Sequence, residues 1–187
     1  MNAKLRLYKK DADYTYAIGV FATLELLAHR PEQVRQVLLS AKGQANQGVA
    51  KIMRICEERG IPARVADAQV ARLAGNEASY AVGVLNKYEM SLAPETNHVV
   101  LVNPSDAGNL GTIIRTMLGF EFLDLAIIRP AVDIWDPKTI RASMGAIFQL
   151  RFAYFSDLAA YQEQYTQNAY PFMTDGQLDL RAVQMQA

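Results

Sequence analysis

Cysteine and histidine are nearly missing from this 187-residue chain, which has one of the first, Cys56, and two of the second, His29 and His98. A single cysteine excludes a disulfide framework, and three such residues far apart in sequence offer no metal-ligand spacing, so no metal is expected. Net charge is missing too: 19 Lys+Arg stand against 19 Asp+Glu. With 51% hydrophobic residues, the chain is too apolar and too neutral for a disordered segment. Long apolar runs are also lacking. The best, Ala17 to Ala28, is interrupted by Glu25 and falls short of the roughly 18 residues of a membrane helix. The basic start lacks an apolar signal core or cleavage site. The expectation is therefore a soluble, metal-independent protein of a reducing compartment, placed in the cytoplasm with no membrane partner.

The length suits one domain or two small ones, and the zero charge conceals a split. Residues 1–92 carry 13 Lys+Arg and 9 Asp+Glu, a balance of +4, and residues 93–187 carry 6 and 10, a balance of −4. Such asymmetry predicts two units with different partners. The first ten residues hold Lys4, Arg6, Lys9 and Lys10 without an acid, which suits either a phosphate-binding segment or a solvated terminus. The stretch Tyr88 to Asn97 lacks periodicity and contains Pro94, so it reads as the linker.

Before the linker, short elements alternate in type. Strands are expected at Tyr14–Gly19, Val34–Leu39 and Ala81–Leu85, and Phe21, Leu24, Leu27 and Ala28 follow helical spacing. Val49, Ile52, Met53 and Cys56 fall at i, i+3, i+4 and i+7, a helix that Gly60 ends, with Cys56 on its apolar stripe as a core residue. After the linker the order is strand (His98–Val102), helix (Asn109–Leu118), strand (Leu123–Ile128), helix (Pro137–Leu150), strand (Arg151–Phe155), helix (Leu158–Tyr165) and strand (Tyr170–Thr174). This alternation predicts βαβ units and a parallel sheet. The fold class is thus α/β in both halves.

The loop Asn103 to Gly111 joins a strand to a strongly periodic helix, at the carboxyl edge where parallel sheets bind ligands. Asn109 is the expected N-cap, and Gly108 and Gly111 would let a ligand approach the backbone. Arg115, one turn above Gly111, could reach back toward the loop mouth and serve a phosphate or a ribose edge, or it could be a plain surface arginine. In the second cluster, Asp136 and Pro137 start a helix. Lys138, Arg141 and Ser143 then form either a solvated basic face or part of a site. G-x-G-x-x-G, G-x-S-x-G and a close carboxylate pair are all missing, which argues against dinucleotide binding and hydrolysis.

Two runs carry a family resemblance. Asn103 to Gly119 contains N-x-G-x-x-x-R at Asn109, Gly111 and Arg115, and Lys138 to Ala146 reads K-x-x-R-A-S-x-G-A. Both resemble motifs of the SpoU/TrmH-type RNA 2′-O-ribose methyltransferases of the SPOUT superfamily. The resemblance implies an N-terminal α/β domain similar to RNA-binding ribosomal proteins (1–92) and a parallel-sheet methyltransferase domain (93–187). It implies S-adenosylmethionine as cofactor, RNA as substrate with rRNA ahead of tRNA, and a homodimer. Arg115 and Asn109 would be catalytic, and Met173 and Thr174 would bind the cofactor. Lys138, Arg141, Ser143, Lys9 and Lys10 would bind RNA. The family's third motif, G-N-E followed by S-L-N, which forms the knotted C-terminus, is not in this sequence. The chain is therefore expected to be a fragment of a longer protein, truncated before the knot, ahead of the alternative of a natural remnant that cannot methylate as written. Two other readings are a non-catalytic RNA-binding module of the same fold and a nucleotide-binding enzyme using the Asn103 loop for phosphate.

Overall fold

The computed structural model of the chain describes residues 5–75 and 78–172, and these build two sheets. The first contains β1 (Tyr14–Ile18), β2 (Val34–Leu39), β3 (Ala63–Val65) and β4 (Ala81–Asn86), in the order β1-β4-β2-β3. β4 runs antiparallel to both β1 and β2, while β3 adds parallel to β2. Helices cover both faces. Against α1 (Val20–His29) and α2 (Gln47–Arg59) lie Val37, Leu39 and Ala81, while Leu38, Val82 and Val84 face α3 (Asp67–Ala74) and Leu5. The period of two along β2 thus sends consecutive residues to opposite layers.

The second sheet is parallel, β5 (His98–Val102), β6 (Asp124–Ile128) and β7 (Arg151–Phe155), in sequential order. Leu101, Leu125, Ile127 and Phe152 face α4 (Ala107–Gly119) and α5 (Pro137–Ala142), and Ala126, Ile128 and Phe155 face Tyr161 of α6 (Leu158–Gln162). The two halves share a core: Ala17, Ala22, Leu26 and Leu85 of the first sheet and its helix cluster with Leu110, Ile114, Trp135 and Phe148 of the second. Polar bonds cross the same seam, from Thr15 Oγ1 to Trp135 O (2.6 Å) and from Gln149 Nε2 to Glu25 (3.0 Å). Among the described residues, no helix is long and apolar enough to cross a membrane.

Most expected elements form, with four differences. β3 and α3 were not anticipated; they are three and eight residues long, too short for a clear period. α1 buries Ala22, Thr23, Leu26 and Leu27, whereas Phe21 and Ala28 are exposed. The helix expected over Pro137–Leu150 ends at Ala142, because Met144 and Gly145 take positive φ (53° and 81°); a 3-10 turn, Ala146–Gln149, then leads to β7. Of the strand expected at Tyr170–Thr174, Tyr170–Phe172 have no regular structure and the rest lies outside the described residues.

One buried charge anchors the linker. Asp124, fully buried at the start of β6, accepts Nε and Nη2 of Arg151 (2.7 and 2.5 Å), Thr96 Oγ1 (2.7 Å) and the N–H of Ala93 (2.9 Å). Burial pushes its carboxyl up, but these donors outweigh burial and hold it at about 2, below the ordinary 3.8. A lowered folded-state value stabilises the fold above the unfolded value and is lost as pH falls toward the folded one. Urea unfolding at successive pH values should show about 2 kcal/mol disappearing between pH 4 and pH 2, and Asp124→Asn should flatten that part of the profile.

Candidate active site at the carboxyl edge of the second sheet

Parallel strands deliver their following loops to one edge, and here the loops after β5 and β6 are bonded together. Asn103 N–H donates to Ile128 O (3.1 Å), and Val132 N–H donates to Pro104 O (2.8 Å). Asn103 takes φ 52°, a left-handed conformation that asparagine tolerates better than most residues. The cap of α4 is Asp106 and not Asn109: the Asp106 carboxylate accepts the Asn109 N–H at 2.7 Å. Asn109 therefore lies in the first turn, exposed, with its side-chain amide unused by the cap. The sequence holds two good capping residues three apart, and periodicity alone does not choose between them.

α4 buries Leu110, Gly111, Ile114 and Met117, and Arg115 is exposed beside that stripe. Gly111 is not a ligand approach. A Cβ there would stand 2.5 Å from Ala142 Cβ, 2.6 Å from Thr139 O and 2.8 Å from Ser143 N. The glycine of the first run is thus pressed against the small pair Ala142–Ser143 of the second. Gly108 is open by comparison, its nearest neighbour being Asp106 Oδ1 at 3.2 Å.

α5 starts as expected, with Asp136 accepting the Lys138 N–H (2.8 Å) and Pro137 in the first turn. Lys138 and Arg141 are exposed. Ser143, expected to hold RNA or shape the pocket, is fully buried and donates its hydroxyl to Ile140 O (2.7 Å), so in this conformation it offers no surface of its own. Met173 and Thr174, expected to bind the cofactor, lie outside the described residues.

Lys9 and Lys10 are exposed, and the segment that carries them is joined to the second half through Tyr8 and Lys87. Lys87 Nζ donates to Lys10 O (2.8 Å) and pairs with Asp133 (3.3 Å), which also accepts the Tyr8 hydroxyl. The N-terminal segment is thereby tied to the loop between β6 and α5. The same loop is held from β7, whose Tyr154 hydroxyl accepts Ile134 N–H (2.9 Å) and lies 3.4 Å from Val132 O. Burial, helped by the Asp133 charge, pushes the Tyr154 phenol up to about 12, so it stays protonated and can donate. Asp133 heads the second cluster of the sequence without a role there, and Tyr154 carries no signal; the pairing of Asp133 with Lys87 spans 46 residues and leaves no local pattern.

Residues 96–184 match the SpoU rRNA Methylase family. A stretch of 48 residues is 46% identical to rRNA methyltransferase 3, mitochondrial, of Mus musculus, covering 26% of this chain and 12% of that protein. A stretch of 52 residues is 36% identical to the 23S rRNA (uridine(2479)-2'-O)-methyltransferase of Streptomyces viridochromogenes, covering 28% of this chain and 18% of that protein. The matched stretches thus span less than a fifth of either relative. Among solved structures, the SpoU methyltransferase AviRb from Streptomyces viridochromogenes, in complex with AdoMet, superposes with a TM-score of 0.69 at 18% identity, over 84% of this chain and 61% of that one. An rRNA methyltransferase from Sinorhizobium meliloti gives 0.63 at 19%, over 81% and 58%. At these identities the structures show the fold.

The contrast between the two glycines is measurable by thermal unfolding. Gly111→Ala should destabilise the protein by about 1–3 kcal/mol, because backbone atoms of α5 stand in the way. Gly108→Ala should be neutral or stabilising by up to about 1 kcal/mol, as alanine favours an exposed helical turn. Equal effects would mean that Gly111 does not set the spacing of α4 and α5.

Proposed function

We propose, from the match of residues 96–184 to the SpoU rRNA Methylase family, that the protein transfers a methyl group from S-adenosylmethionine to a ribose 2′-oxygen of RNA, rRNA ahead of tRNA. The observation that carries this reading is the contact between the two motif runs, Gly111 against Ala142 and Ser143, at the carboxyl edge of the parallel sheet. It places the exposed Asn109 and Arg115 of one run and the exposed Lys138 and Arg141 of the other on packed neighbours.

The chemistry of the edge fits the cofactor. Exposed amides at Asn103 and Asn109 suit ribose hydroxyls and an amino-acid head group, and the nearby cations suit a carboxylate or a phosphate. When bound, S-adenosylmethionine supplies an electrophilic methyl on a sulfonium. Arg115 is an arginine, protonated at any ordinary pH, so it is no general base. Its part is electrostatic: it holds the phosphate beside the target and stabilises negative charge on the 2′-oxygen as the hydroxyl proton passes to solvent water. Asn109, freed from capping by Asp106, orients the ribose. Lys138 and Arg141 hold the RNA backbone, and Lys9 and Lys10 of the first half extend that track. We propose further that the 1–92 half recruits RNA and that two copies form the working unit.

Incubation of the protein with rRNA and methyl-labelled S-adenosylmethionine, followed by alkaline hydrolysis, tests the reading. Label in alkali-resistant dinucleotides supports 2′-O-methylation, and salt-dependent RNA binding with no methyl transfer would replace it with a binding module. Arg115→Ala should lower kcat by roughly 100- to 1,000-fold with an unchanged melting temperature. Unchanged turnover would remove Arg115 from the mechanism.

A further inference from the structure

Among the described residues, one exposed cation of the second half has no part in the reading above. Arg129 follows directly on the central strand β6 and is exposed. Its backbone N–H donates to Phe155 O (2.9 Å), continuing the ladder with β7. Its guanidinium lies over the ring of Tyr154, 4.5 Å from the centroid. That ring is itself fixed, because its hydroxyl accepts the Ile134 N–H. The charge is thus mounted on a rigid platform at a strand end, where a lysine-like tether would leave it mobile.

Its surroundings fix where it can act. The residue before it, Ile128, accepts the Asn103 N–H, and Val132, three residues on, donates to Pro104. Arg129 therefore stands where the loops after β5 and β6 are stitched together, beside the loop that starts the Asn109–Arg115 helix. Among the described residues no carboxylate pairs with it, although the half to which it belongs has a balance of −4. Stacking on an aromatic face leaves the N–H edge of a guanidinium open to an in-plane acceptor, and that fork matches two phosphate oxygens.

We infer that Arg129 grips an RNA phosphodiester beside the target nucleotide and is a further substrate-positioning residue of the site. This rests on the proposed RNA substrate. Tyr154 then serves as its platform, which explains an aromatic side chain half-buried at the end of β7 with its hydroxyl turned into the β6–α5 loop.

The test titrates a fluorescent 20-nucleotide oligouridylate into the full chain at several salt concentrations. The logarithm of the affinity falls linearly with the logarithm of salt, with a slope proportional to the phosphates contacted. Arg129→Ala should weaken binding at every salt concentration and lower the slope by about one. Arg129→Lys should restore the slope but not the full affinity, since the charge returns without the stacked fork. Salt-dependent wild-type binding with an unaltered slope in Arg129→Ala overturns the inference and leaves the RNA reading in place. No binding by the wild type, even at low salt, overturns both. An unaltered slope accompanied by weaker S-adenosylmethionine binding in calorimetry assigns the cation to the cofactor's carboxylate and overturns the inference.

Discussion

A hydrogen atom at Gly111, where any other residue would carry a Cβ, sets the spacing on which the site depends. It lets α4 settle against the backbone of α5 at Thr139 O and Ser143 N. Arg115 follows one turn later on α4, and Lys138 and Arg141 rise from α5, so the separation of these cations is a property of one helix contact. The small residues of the second run are the other half of that contact. Ser143 is part of it through burial and its bond to Ile140 O, which accounts for a polar residue with no exposed surface. Core packing of this kind tolerates little added volume.

The loop between β6 and α5 is secured from three directions. The loop after β5 holds it through Val132 N–H and Pro104 O, β7 through Tyr154, and the first half through Tyr8 and Lys87 on Asp133. Each bond satisfies a polar group that would otherwise be partly buried without a partner. The first half is also joined by apolar packing, in which Gly145, at φ 81°, lies so close to α1 that a Cβ would stand 2.6 Å from Glu25 Cβ. The break in the helix expected over 137–150 is thus the point where the second half turns to meet the first.

Much of this was legible in the residues. The period of α2 and α4, the Gly60 cap in its left-handed conformation, and the parallel order of β5, β6 and β7 all follow from spacing. What was not legible depends on distance or on brevity. α3 packs Val70, Leu73 and Ala74 at helical spacing, yet eight residues cannot outweigh the loop chemistry around them. Met53 completes the apolar pattern of α2 and is exposed, because the helix buries a narrower stripe than its sequence offers. The site showed the same division. Arg115, Lys138 and Arg141 stand in recognisable runs, whereas Arg129 and Tyr154 meet only because β6 and β7 are paired in register, Ile127 beside Tyr154.

The seam between the halves joins residues made far apart in time. Tyr8 meets Asp133, Thr15 meets Trp135 and Glu25 meets Gln149, separations of 125, 120 and 124 residues. At about 5–20 residues per second, a ribosome needs roughly 6–25 s to make the second partner after the first. For that interval the nascent first sheet and its helix α1 carry Ala17, Ala22 and Leu26 toward solvent with no second half to cover them. The shared core that orients the finished molecule is therefore also a transient sticky face on the growing one, and synthesis in the cell exposes it to chaperones before it is ever exposed to substrate.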